Sequence, residues 1–68
     1  MFILSIMDDK IRIKSQGNQN VKNKNEINNL SKKLNLGFRI RQDAHKWYVI
    51  HKKRTHRLFN FDEIILER

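Results

Sequence analysis

The chain has 68 residues with no cysteine and no proline, and fifteen Lys and Arg against seven Asp and Glu leave a formal charge of +8. That length holds one domain, which buries only about 60% of the surface its unfolded chain exposes, and without cysteine neither a disulfide nor a Cys-based zinc framework can stabilise it. The longest apolar run, Phe2 to Met7, falls far short of the roughly 20 residues that span a bilayer. Asp8 and Asp9 follow it directly, so no signal peptide is expected either; the composition points to a reducing, cytoplasmic setting away from membranes.

Phe2–Met7 is a β-favouring apolar stretch, Asp8-Asp9 supplies turn chemistry, and Ile11-Arg12-Ile13-Lys14 alternates apolar and basic at period two. These features predict an N-terminal hairpin. Ser15 to Asn20 is small and polar, without periodicity, and reads as a loop.

A helix is expected over about residues 24–36. Asn23 and Glu26 have capping-box spacing, Ile27, Leu30 and Leu34 make one apolar stripe, and Gly37 stands just past the end.

After Gly37 the period switches to two. Phe38-Arg39-Ile40-Arg41 reads as a strand, Gln42 to His45 as a four-residue connection, and the aromatic and β-branched Lys46 to His51 as a central strand. Lys52 to His56 reads as a turn and Arg57 to Phe61 as another strand. Asp62 is a good N-cap for a short C-terminal helix, the alternative being that the tail continues as strand. The fold class is therefore α+β: a small two-layer domain with one main amphipathic helix on an antiparallel sheet, in the order β-β-α-β-β-β.

The basic charge is uneven. Residues 1–37 carry seven basic and three acidic side chains, residues 38–57 seven and one, and residues 58–68 one and three. The Asn, Lys, Ile and Phe content matches what an A/T-rich genome favours, but arginine is not favoured by that bias, and five of six arginines precede the last eleven residues. The candidate binding residues are thus Arg39, Arg41, Lys46, Lys52, Lys53, Arg54 and Arg57, clustered on and around the second hairpin. A two-stranded ribbon fits a DNA major groove, and clustered Lys and Arg release counterions from phosphates. Tyr48 or Trp47 adds base stacking if exposed.

His45, His51 and His56 lack the close spacing of metal pairs, and no Gly-rich phosphate loop or nucleophile triad exists. No metal or cofactor is expected. The run Leu36-Gly37-Phe38, Arg41-Gln42 and His45, within residues 27–51, resembles the HicA toxin family. The resemblance implies a small basic endoribonuclease with an α-β-β-β-α, double-stranded-RNA-binding-like fold and His45 as general base. The sequence has Asp43-Ala44-His45 where that family has Gly-Ser-His.

The apolar residues outnumber what one helix stripe can cover. Either the terminal segments fold over the far side of the central strand or two chains pair as a homodimer. The leading expectation is a non-enzymatic nucleic-acid-binding accessory protein, for DNA or RNA, with phage or mobile-element origin suggested by size and composition. The alternatives are a module or inhibitor that meets an acidic protein partner and the HicA-like ribonuclease.

Overall fold

The computed structural model describes residues 1–68. The elements in chain order are β1 (Phe2–Met7), β2 (Lys10–Ser15), α1 (Val21–Lys33), β3 (Phe38–Asp43), β4 (Lys46–His51), β5 (Arg54–Arg57) and β6 (Glu63–Glu67). They build two antiparallel three-stranded sheets, β1-β2-β6 and β3-β4-β5, rather than one. The α+β class and the order through β5 agree with the sequence reading.

The tail takes its strand alternative. Asp62 accepts a hydrogen bond from the N–H of Glu63 (2.9 Å) and its carbonyl accepts from Ser15 N (2.8 Å), which launches β6 along β2 instead of starting a helix. Ile64 and Leu66 then face inward and Ile65 outward, with Ile64 opposite Ile13 and Leu66 opposite Ile11.

Period-two alternation gives each sheet one apolar side, and the two sides share one core. Ile11, Ile13 and Leu66 from the first sheet meet Phe38, Ile40, Trp47 and Val49 from the second. The rings of Phe2 and Trp47 pack edge to face across the gap at 5.1 Å. The terminal strands thus cover the core side of the central strand β4 within one chain, while Ile6, Phe59, Phe61 and Ile65 stay exposed.

Helix α1 begins three residues before the expected start. Asn20, in extended backbone, caps it by accepting from Asn23 N at 2.7 Å, while the Asn23 side chain accepts from Phe2 N and ties the helix start to β1. Neighbouring asparagines offer equivalent caps, and tertiary contact selects between them. At the other end Leu36 N bonds Ser31 O (2.9 Å) and Asn35 N bonds Lys32 O (3.2 Å), a Schellman closure with Asn35 left-handed at φ 55°. Gly37, at φ 77°, serves the entry into β3 rather than the helix stop.

The docking face of α1 is also rotated from the expected stripe. Ile27 is buried, but Leu30 and Leu34 stay 40% and 42% exposed, and Ser31 is buried in their place. The reason is a polar fit to the edge of β3. Asn28 donates to Ile40 O (2.9 Å) and accepts from Ile40 N (2.7 Å), and Ser31 donates to Phe38 O (2.8 Å). Those side chains stand in for a missing strand and satisfy backbone groups that an open edge would leave bare. The helix thus packs on β3 and β1 and closes one side of the sandwich. On the other side β5 and β6 do not pair.

Three boundaries differ from the sequence reading. The β3–β4 connection is two residues, Ala44-His45, because Asp43 pairs with Lys46. The β4–β5 turn is Lys52-Lys53, because His51 pairs with Arg54, so the polar Arg54–Arg57 is the strand. Leu58 alone of the segment after it enters the core, its N–H bonded to Trp47 O at 2.8 Å. Phe59 and Phe61 do not lie in a strand but on an exposed loop.

Candidate nucleic-acid interface

Residues directly opposite one another in an antiparallel pair share a face. In the second sheet the rows Phe38-His51-Arg54 and Ile40-Val49-His56 therefore point to the core side. The rows Arg39-Ile50-Thr55 and Arg41-Tyr48-Arg57 point away from it, with Asp43-Lys46 beyond. This outer face carries Arg39, Arg41, Lys46 and Arg57 around the half-buried ring of Tyr48. The register thus gathers four of the seven candidate residues on this face, leaves Lys52 and Lys53 in the turn between β4 and β5, and separates Arg54, which lies on the opposite side of β5.

Only one carboxylate shares this face. Asp43 approaches Arg41 at 3.9 Å, with both side chains more than half exposed. A pair of that kind contributes about 0–1 kcal/mol and leaves the guanidinium accessible. Arg57 is held by stacking: its guanidinium carbon lies 5.5 Å from the Tyr48 ring centre and 4.7 Å from that of Phe59. Tyr48, Arg57 and Phe59 form a pile of flat groups at the rim of the sheet, and Phe59 remains 58% exposed. Toward the helix, Lys24 and Asn28 line a shallow groove with Arg39, Arg41 and Gln42, so the positive surface extends across the β3 edge onto α1.

The turn Lys52-Lys53 has left-handed backbone at both positions, φ 48° and 64°. A two-residue hairpin turn of this geometry favours Asn-Gly. Lysine there carries a conformational cost on the order of 1 kcal/mol per residue.

Phe59 and Lys24 were not among the candidate residues. Phe59 alternates with Asn60, Phe61 and Asp62, and turn-forming Asn and Asp beside each ring were the available signal for a loop. Lys24 reads only as part of a polar helix face.

The histidines are dispersed in environment. His45 is exposed in the β3–β4 turn, His56 is half-buried, and His51 is buried. Burial first, then the charges of Lys52 and His56, pull the His51 pKa below its usual value, with a hydrogen bond to the Glu67 backbone opposing them. No three His, Asp or Glu side chains gather as a metal site. The order of elements, with β1 and β2 before the helix and β6 at the end, departs from the α-β-β-β-α order that the HicA resemblance implies. Comparison with protein-family models, curated proteins and solved structures finds no match for this chain.

Proposed function

We propose that the outer face of β3-β4-β5 binds nucleic acid as a single strand. One observation carries the reading: Arg39, Arg41, Lys46 and Arg57 surround a half-buried Tyr48 on one sheet face that holds a single carboxylate. Phosphates are met by the arginines and lysines, whose binding releases counterions. Tyr48 and Phe59 offer ring faces to unstacked bases, each worth about 1–3 kcal/mol where a base stacks. A duplex hides those base faces, which favours a single strand.

The test is fluorescence anisotropy with short labelled single-stranded DNA, single-stranded RNA and hairpin duplex at ~0.1 M salt, where the Debye length is about 10 Å. Binding of the single strands ahead of the duplex is expected. Tyr48→Ala and Phe59→Ala should each weaken the single strands about tenfold. No binding to any of the three oligonucleotides, with capture by an acidic polypeptide instead, would overturn the proposal in favour of an acidic protein partner. RNA cleavage abolished by His45→Ala would assign the chain to the enzyme class.

A further inference from the structure

Arg54 is the candidate residue that the outer face does not use, and its location has chemistry of its own. It projects with His56 from the core side of β5, at the one side of the sandwich that neither the helix nor a strand pair closes. The result is a groove of about 480 Å³ between β5 and β6, within the range of small-ligand sites. One wall carries four basic side chains, His51, Lys52, Arg54 and His56. The other is Ile65, Leu66 and Glu67 of β6. Successive residues of a strand point to opposite faces, so three in a row lining one groove means that the groove meets the strand's edge, where backbone N–H groups are free of a neighbouring strand.

We infer that this groove binds a tetrahedral dianion, the chemistry shared by sulfate, free phosphate and a nucleotide's terminal phosphate. Arg54 offers a planar fork of donors, Lys52 a point charge, and two imidazoles further N–H groups, a set suited to several oxygens on one centre. The only carboxylate present, Glu67, is drawn toward Lys10 at 3.8 Å on the far side of β6. Burial first, then the charges of Lys52 and His56, lower the His51 pKa, the Glu67 backbone opposing them, and Arg54 lines the same groove. An anion seated there relieves the crowding and favours protonated His51. This site uses side chains on the opposite side of the sheet from the proposed strand-binding face and shares only the turn residue Lys52 with it.

The experiment is an NMR titration of the full chain with sodium sulfate, following the histidine ring signals, and in parallel with a nucleoside 5′-monophosphate and the matching nucleoside. Saturable shifts at His51 and His56 with a Kd of about 1 mM or tighter are expected. Sulfate stays doubly charged as pH falls, so its binding should tighten as His51, whose pKa burial holds below its usual value, takes up a proton. Arg54→Gln should weaken it about tenfold while leaving the amide spectrum folded, and Arg39→Gln with Arg41→Gln should leave it unchanged. Equal affinity for sulfate and the monophosphate identifies the free anion as ligand, and tighter monophosphate binding identifies the nucleotide. Linear, unsaturable shifts, or the same affinity in the Arg54→Gln variant, would overturn the inference. Those outcomes are independent of oligonucleotide binding, so either site can fail without the other.

Discussion

The two sheets are near copies in architecture and differ in the acidic residues set beside their outward cations. Each has three antiparallel strands with apolar residues inward and a run of alternating basic residues outward. In β1-β2-β6 the outward cations meet partners: Lys10 stands opposite Glu67 and Lys14 opposite Glu63 across the β2–β6 pair. Arg12 between them is half-buried against Ser5, whose hydroxyl it reaches at 3.5 Å. In β3-β4-β5 the cations Arg39 and Arg41 face Ile50 and Tyr48, and Arg57 stacks on rings instead of pairing with an acid. The same local pattern thus stands beside two carboxylates, Glu63 and Glu67, in the first sheet and beside one, Asp43, in the second. What decides is the strand laid alongside, which for β2 comes from the opposite end of the chain.

The shared core makes the comparison breakable first by cavities. Ile13→Ala in the first sheet and Ile40→Ala in the second each delete a fully buried side chain. Each should cost about 2–5 kcal/mol, enough to threaten folding at this size. Urea unfolding should give one transition for both variants, and two separate transitions would show that the sheets do not share a core.

Next is the paired hydrogen bond by which Asn28 of the helix holds the β3 edge of the second sheet. Asn28→Ala leaves both backbone groups of Ile40 without their side-chain partner and should cost about 1–3 kcal/mol. Asn28→Asp keeps the acceptor and loses the donor, so it should fall between wild type and Ala in the same denaturation series.

The hairpin tip sharpens the contrast in the other direction. Replacing Lys52-Lys53 by Asn-Gly suits the left-handed turn and should raise stability by about 1 kcal/mol. Oligonucleotide affinity should fall in the same variant. A gain in stability with unchanged affinity would remove the tip from the binding face.

The smallest effect is pH dependence through His51. Its folded-state pKa lies below the unfolded value of about 6.5. The unfolded chain therefore binds more protons in the window just below 6.5, and stability declines as pH drops through that window. His51→Gln should flatten this part of the urea-midpoint profile. An unchanged profile would place the pH dependence elsewhere.

Much of this organisation was legible in the sequence because it is local. The period-two runs at Ile11–Lys14 and Phe38–Arg41 gave strands with the correct side inward, and the helix followed from its polar and apolar spacing. What was not legible depended on distant partners. Asn20 rather than Asn23 caps α1 because Asn23 is taken by Phe2, and Ser31 rather than Leu30 is buried because β3 needs an edge partner. Arg54 looked identical to its neighbours until the His51–Arg54 register sent it to the other side of the sheet. The C-terminal Glu63–Glu67 reads first as a short helix behind Asp62, and pairing with β2 makes it a strand instead.

The most direct measurement compares two double variants that remove the same two charges, Arg39→Gln with Arg41→Gln on the second sheet and Lys10→Gln with Lys14→Gln on the first. Single-stranded oligonucleotide affinity should drop more than tenfold in the first variant, with a salt dependence shallower by about 1.4 log units per decade, from roughly 0.7 per lost phosphate contact. The second variant should bind within about twofold of wild type, because Lys10 and Lys14 lie on the first sheet, away from the proposed binding face. Equal losses in the two variants would show that net charge alone attracts the ligand and that neither sheet face is the site.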